Sequence, residues 1–255
     1  MSISEQFHQD GYVTGLQIMT EQEIESYRNE FSRLEADMGE RESQVGIFGM
    51  HRKNRFVWEL ATHPRILDAI EAALGADILL LGTHFFCKYP NLSESFVAWH
   101  QDITYWSLDP LAPGNVATAW LAIDDADTEN GCMRVIPGTH RSMLKHGESQ
   151  EAGNLLSVNQ EIPEELLDPS QAVDLILKAG MASLHDGLTV HGSNPNRSAR
   201  RRCGLTIRFT KPQVKPKANA DGKMKQWLPF LVRGEDRYGH FELSPAPTHQ
   251  GQTAG

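Results

Sequence analysis

Cysteine is scarce. Cys87, Cys132 and Cys203 are the only three in 255 residues, and no two form a Cys-x-x-Cys pair. An odd number of distant cysteines excludes a disulfide framework and a zinc knuckle, and it fits a reducing cytoplasm. Each is expected to be a small buried hydrophobe. Long apolar runs are also missing. None approaches the ~20 residues that cross a bilayer, and residues 1–8 carry neither a basic nor an apolar stretch of a secretory leader. Positive charge is in deficit, with 24 Lys and Arg against 33 Asp and Glu and a net charge of −9. That balance argues against nucleic acid and against an anionic membrane as partners. A small-molecule partner, and a monomer or homodimer, are the expectation. There is no internal repeat and no low-complexity tract.

What is present is the composition of a globular protein, 40% hydrophobic and 22% charged, with enough apolar material for a sizeable core. Residues up to about 76 read as a mainly helical flank. Thr20 and Glu23 have the spacing of a capping box, followed by Ile24, Tyr27, Phe31 and Leu34 at helical intervals. Pro64 opens a second apolar-periodic stretch that Gly75 should stop. Between them, 41–58 is rich in glycine and charge and reads as an irregular loop returning toward the site. Phe48, His51 and Arg55 are its candidate contributors, although His51, like His63 and His146, lies where no strand is signalled and reads as a surface residue.

From Ile78 the character changes. Strands are expected over 78–89, 95–102, 116–123, 133–136, 172–177, 181–185 and 203–209, separated by Gly, Pro and Asn-Gly turns. The fold class is therefore mainly β with flanking helices, a sandwich or jelly roll. One domain over 1–245 is expected, with its core at about 77–211 and an extension or lid at about 212–245. In that extension, the stretch from Pro229 to Phe241 is expected to fold over the mouth. Residues 246–255 read as a disordered tail.

Chemistry concentrates in Trp99-His-Gln-Asp102. Residues i and i+2 of a strand share a face, so His100 and Asp102 can reach one metal ion, with His191 the leading third ligand. Two histidines and a carboxylate on one face suit non-haem Fe(II). Alone, His-x-Asp is a weak signal. The run from His191 to Arg202 adds to it, because an arginine entering an apolar strand needs an anionic partner, and a carboxylate suits a guanidinium fork.

Several segments together resemble the phytanoyl-CoA dioxygenase family of Fe(II)/2-oxoglutarate oxygenases. They are Phe7-His-Gln-Asp-Gly-Tyr-Val, Lys88-Tyr-Pro, Trp99-His-Gln-Asp, Ala119-Trp-Leu-Ala-Ile-Asp-Asp, Glu129-Asn-Gly-Cys-Met-Arg-Val-Ile-Pro-Gly-Thr-His, His191-Gly-Ser and the arginines after it. The resemblance implies a cupin-like double-stranded β-helix with Fe(2+) held by His100, Asp102 and His191. It implies 2-oxoglutarate and O2 as cosubstrates, with Arg202 on the far carboxylate, Ser193 assisting, and Gln101 and Trp120 lining the pocket. Arg201 is the second choice for the clamp, and Arg200 and Arg201 otherwise read as surface residues. The implied reaction is oxidative decarboxylation to succinate and CO2 coupled to hydroxylation or another oxidation such as desaturation. Related halogenases carry Ala or Gly where this chain has Asp102, so halogenation is not expected.

Thr104, Trp106, Arg134 and His84 are the candidate substrate contacts. Thr104 and Trp106 would share the ligand face if their strand continued. His185, just before His191, reads as a neighbour of the metal rather than a ligand. The absence of an extended basic surface for a CoA nucleotide favours a small free metabolite, with a small zwitterion or aminophosphonate as one candidate. Two other readings stand beside this one. One is a cupin-type metalloenzyme that uses no oxoacid, and the other is a non-catalytic binding protein on the same fold.

Overall fold

The computed structural model describes residues 1–149, 152–156, 160–218 and 222–248. Of the expected tail, 249–255 lie outside the described residues. Two antiparallel sheets face each other as a double-stranded β-helix. The major sheet has six strands in the order Tyr12–Gln17, Met181–Asp186, Val116–Ala122, Arg202–Thr210, Ile78–Lys88 and Phe230–Arg233. The minor sheet has four, in the order Val97–His100, His191–Ser193, Met133–Val135 and Val173–Asp174. Trp120 and Ala122 of the major sheet pack against Met133 and Val135 of the minor one, which fixes the inner faces.

The helices cover the outer face of the major sheet. Glu21–Met38 begins at Thr20, whose side chain and that of Glu23 make the expected reciprocal cap. Pro64–Leu74 ends at Gly75, whose φ of 100° favours a residue without a Cβ. Ile24, Phe31, Ile66 and Ile70 from these helices join Ala119, Leu184, Leu205, Ile207 and Phe209 in one buried cluster. All three cysteines are buried and form no disulfide.

Three features differ from the sequence reading. The helical flank contains the strand Tyr12–Gln17, which pairs with Met181–Asp186 and becomes an edge of the major sheet. The stretch 41–58 is not one loop. It begins in the short helix Glu40–Ser43, and 44–49 runs beside Ile78–Lys88, with backbone bonds from Gly49 N to Thr83 O and from Phe85 N to Ile47 O. Its end is the helix Arg55–Ala61, capped by Asn54. Finally, Phe230–Arg233, within the expected extension or lid, is a strand. It extends the major sheet beside Leu79 and Leu80. An unsatisfied sheet edge takes up chain that has β-compatible residues, and neither local periodicity nor composition announces that docking.

Candidate active site

Sheet parity sets the site. In the central strand Arg202–Thr210, the even-numbered residues stand opposite Lys88, Phe86, His84 and Gly82 on one side and Ala122, Trp120 and Thr118 on the other. Directly opposed residues share a face, so this set forms the inner wall. His185 stands opposite Thr118 and joins it.

Across from that wall, His191 is paired with His100 in the minor sheet. Their rings are 4.1 Å apart between centroids. One ligand-type atom each from His100, Asp102 and His191 lies within 4.8 Å of the others, and all three residues are buried. The backbone selects which atoms face inward. Nδ1 of His100 lies 2.9 Å from the Ala98 carbonyl and Nδ1 of His191 lies 3.0 Å from the Thr189 carbonyl. An Nδ1–H donating to a carbonyl leaves Nε2 with a free lone pair, the form that binds a metal. Asp102 Oδ1 is 3.6 Å from His100 Nε2 and 3.9 Å from His191 Nε2. Its Oδ2 accepts a 2.9 Å hydrogen bond from Thr118 Oγ1 and lies 3.4 Å from His185 Nε2. The carboxylate is thus oriented on one side and open on the other.

Electrostatics agree with a cation site. Burial alone would raise the Asp102 carboxyl. The imidazoles of His100, His185 and His191 and the guanidinium of Arg208 outweigh it and hold the group well below the usual carboxylate range. Burial, then the neighbouring His100 and His185, push His191 well below the ordinary imidazole value, so it is neutral and able to ligate.

The second part of the site is a cationic pair without a carboxylate. Arg202 is 3% exposed, its guanidinium lies over the Trp120 ring, and its Nε is enclosed with no acceptor. Lys88 is fully buried and donates to Ser193 Oγ at 2.6 Å and to the Asn194 carbonyl. Burial and the nearby Arg202 depress its ammonium well below the ordinary lysine value. Among the described residues, neither of these two facing basic groups is ion-paired to a carboxylate, the partner that would make their burial favourable. Gly204 lies between this pair and the rest of the wall, and a Cβ there would come within 2.0 Å of the Trp120 ring.

Not all sequence candidates converge. His100, Asp102 and His191 do, and Arg202, Ser193 and Trp120 adjoin them. Gln101 does not. Alternation turns it away, and its amide is saturated by the Ser142 and Leu188 carbonyls and by Leu144 N. The strand ends at His100 and the chain turns through Asp102–Tyr105, so Thr104 and Trp106 do not continue an alternating face. Thr104 instead borders an open cleft of about 540 Å³ that also touches Ile103, Met143, His146 and Lys217. Trp106 is buried in an apolar cluster with Ile103 and Leu108. Arg134 faces away from His191, because the residue opposite that histidine is Val135, and Arg134 is ion-paired to Asp174 at 2.8 Å. His84 is on the inner wall, with Nε2 tied to the Val45 carbonyl at 2.6 Å.

The arginine run divides three ways where the strand begins. Arg200 is exposed on Asp127, Arg202 points inward, and Arg201 points outward to Asp124 and Glu35 at 2.8 and 2.7 Å. Arg201 is therefore a part-buried link to the helix Glu21–Met38 and not a surface residue. His51 is not a surface residue either; it is buried and bonded to Thr83. Lys88, Thr118 and Arg208 were missed from the sequence. Each is a polar residue at an inward position of an otherwise apolar strand, and that interruption was the available signal.

Comparison with known proteins fits this geometry. The family described as phytanoyl-CoA dioxygenase (PhyH) matches residues 7–204. The chain is 30% identical over 158 residues to a protein of Stutzerimonas stutzeri named probable alpha-ketoglutarate-dependent hypophosphite dioxygenase, covering 62% of this chain and 54% of the relative. It is 25% identical over 227 residues to the peroxisomal phytanoyl-CoA dioxygenase of Bos taurus, covering 80% and 66%. The chain thus spans between about half and two thirds of the length of these relatives. Among solved structures, the apo form of ThoJ, a non-heme monooxygenase, superposes with a TM-score of 0.77 at 29% identity, over 96% of this chain and 88% of that one.

Proposed function

Because this chain belongs to the phytanoyl-CoA dioxygenase family of Fe(II)/2-oxoglutarate oxygenases, we propose that it hydroxylates an unactivated C–H bond of a small metabolite, releasing succinate and CO2. The residues present fit the cofactor and cosubstrate. Three convergent donors of the two-histidine, one-carboxylate type suit Fe(II) and leave positions open, and the uncompensated pair Lys88 and Arg202 suits a carboxylate.

In this reading His100 Nε2, Asp102 Oδ1 and His191 Nε2 are the metal ligands. The Ala98 and Thr189 carbonyls fix both imidazoles in one tautomer, and Thr118 holds the carboxylate in place. Arg202, with Lys88 and Ser193, binds the far carboxylate of 2-oxoglutarate, and the Trp120 ring walls that pocket. When bound, ferrous iron, 2-oxoglutarate and dioxygen supply the oxidative decarboxylation and the oxidising equivalent for the substrate. The chain's own task is to orient the substrate, exclude water and keep the ligands in one protonation state.

The single observation that supports hydroxylation is Asp102 itself. Related halogenases resemble this family but carry Ala or Gly at that position, so a carboxylate there argues against a halogenated product, and the product is expected to carry added oxygen. The test begins with anaerobic protein, Fe(II) and 2-oxoglutarate, which should give a weak visible metal-to-ligand charge-transfer band. A succinate-release screen over a metabolite panel follows, with mass spectrometry for a product gaining one oxygen atom. A fully iron-loaded protein without that band, or a halogenated or isomerised product, would overturn the proposal.

A further inference from the structure

Arg202 is not the only arginine on the inner wall. Arg208 lies six residues further along the same strand with the same parity, directly opposite Thr118 and Gly82. Thr118 touches Asp102, so Arg208 borders the metal-ligand end of the wall, while Arg202 borders Lys88 and Ser193. Six strand residues separate the two by roughly 20 Å along the backbone. One 2-oxoglutarate has a single far carboxylate, and it cannot serve both.

The anion that acts on Arg208 is Asp102, and the two are not ion-paired. The Arg208 Nε is enclosed without an acceptor, and among the described residues no ion pair joins it to a carboxylate; the ion contacts of Asp102 go to histidines. Asp102 is near enough to act electrostatically, yet its contacts are Thr118, His100, His185 and His191. The guanidinium lies over the Trp106 ring, 5.8 Å from its centroid, which leaves its donor edge free. Space is left as well. Opposite Arg208 is Gly82, where an added Cβ would meet no atom within 4 Å. Lys225 adds positive charge nearby. It reaches the Tyr105 carbonyl while its neighbour Trp227 bonds the Trp106 carbonyl, which places the segment beside Arg208. Arg208 is half-buried with its Nε enclosed, and a guanidinium so placed beside open space and near a metal site is stabilised by an anion in front of it.

We propose that Arg208 anchors an oxyanion group of the substrate, so that the compound oxidised here is a small acid carrying a carboxylate, phosphonate or phosphate. This assignment rests on the reading of the site as an Fe(II)/2-oxoglutarate oxygenase. It places the oxidised carbon a short distance from the acid group, because the Asp102 side of the wall holds both the anchor and the metal ligands.

The test uses the full chain loaded anaerobically with Fe(II) and saturating 2-oxoglutarate, with the charge-transfer band as readout. Acetate, methylphosphonate and inorganic phosphate are titrated against neutral acetamide. At least one oxyanion should perturb the band saturably and acetamide should not; the response ranking tells a carboxylate substrate from a phosphorus oxyanion. Arg208→Met should weaken that binding by about tenfold or more, the scale of a lost charge-assisted hydrogen-bonded pair, and Arg208→Lys should restore part of it. The 2-oxoglutarate titration should stay near wild type in Arg208→Met and weaken strongly in Arg202→Met. Circular dichroism confirms that each variant is folded, and the conservative Arg208→Lys serves if the methionine variant is not. Absence of any saturable oxyanion effect, or its persistence in Arg208→Met, would overturn the anchor. Loss of 2-oxoglutarate affinity in Arg208→Met equal to that in Arg202→Met would assign Arg208 to the cosubstrate. A wild-type protein with no band would instead remove the oxygenase reading itself.

Discussion

The two faces of the strand Arg202–Thr210 are built from the same backbone and serve opposite ends. Facing the helices, Cys203, Leu205, Ile207 and Phe209 are all fully buried in apolar surroundings. Facing the minor sheet are Arg202, Gly204, Thr206 and Arg208, two of them cations with an enclosed and unpartnered Nε. The outer face stabilises the fold by removing apolar surface from water. The inner face costs stability, because its charges are desolvated before any ligand arrives. The contrast teaches that uncompensated polarity, and not packing, marks the working side of this sheet.

That contrast can be broken residue by residue. The largest effect is expected at the ligands. Asp102→Ala should reduce succinate release by more than about 100-fold, beyond what loss of a supporting partner alone costs, while far-UV circular dichroism stays unchanged. Lys88→Met should weaken 2-oxoglutarate binding, read by titration of the charge-transfer band, by about ten- to a hundredfold with no loss of thermal stability. On the outer face the outcome should invert. Ile207→Ala should cost about 2–5 kcal/mol in urea unfolding, while 2-oxoglutarate affinity of the folded fraction is retained. Gly204→Ala joins the two faces, since its methyl displaces the Trp120 ring. A loss of about 1–3 kcal/mol is expected together with weaker 2-oxoglutarate binding. Equal effects of Ile207→Ala and Lys88→Met on both measurements would end the distinction.

A smaller effect should appear in acid. Burial, then Arg52, lowers the His51 imidazole to about 4, and burial with Arg208 lowers His84 to about 4. Between that value and the ordinary one near 6.5, the unfolded chain takes up protons that the folded chain refuses. Stability is therefore complete above about pH 6.5 and falls as the pH drops toward 4, by up to about 3 kcal/mol for a fully buried group such as His51. His51→Gln should flatten the urea midpoint over that window. An unchanged slope would show that His51 titrates freely in the folded protein.

Much of the site was legible before the fold was known, for identifiable reasons. His100 and Asp102 are two residues apart, a local relation that survives even though the strand stops between them at Gln101. Gln101 was assigned to the pocket by the resemblance, whereas that same relation turns the residue between two inward ones outward. Arg134 was misplaced because the phase of Met133–Val135 against His191 cannot be read from three residues. The arginine run shows the same limit from the other side. Arg200, Arg201 and Arg202 are chemically identical in sequence, and only the fold, in which the strand begins at Arg202, sends one to solvent, one to Asp124 and Glu35, and one to the inner wall.

The sequence by itself determined the capped helices, the run of short strands, the choice of histidines and carboxylate, and the family. These depend on spacings within a few residues and on ordered motifs along the chain. Only the tertiary structure decided that Lys88 and Arg202 meet without a counter-charge, that Thr118 steadies Asp102, and that Arg208 borders empty space. Those facts depend on register between strands that are distant in sequence, and register is set by the packing of whole sheets.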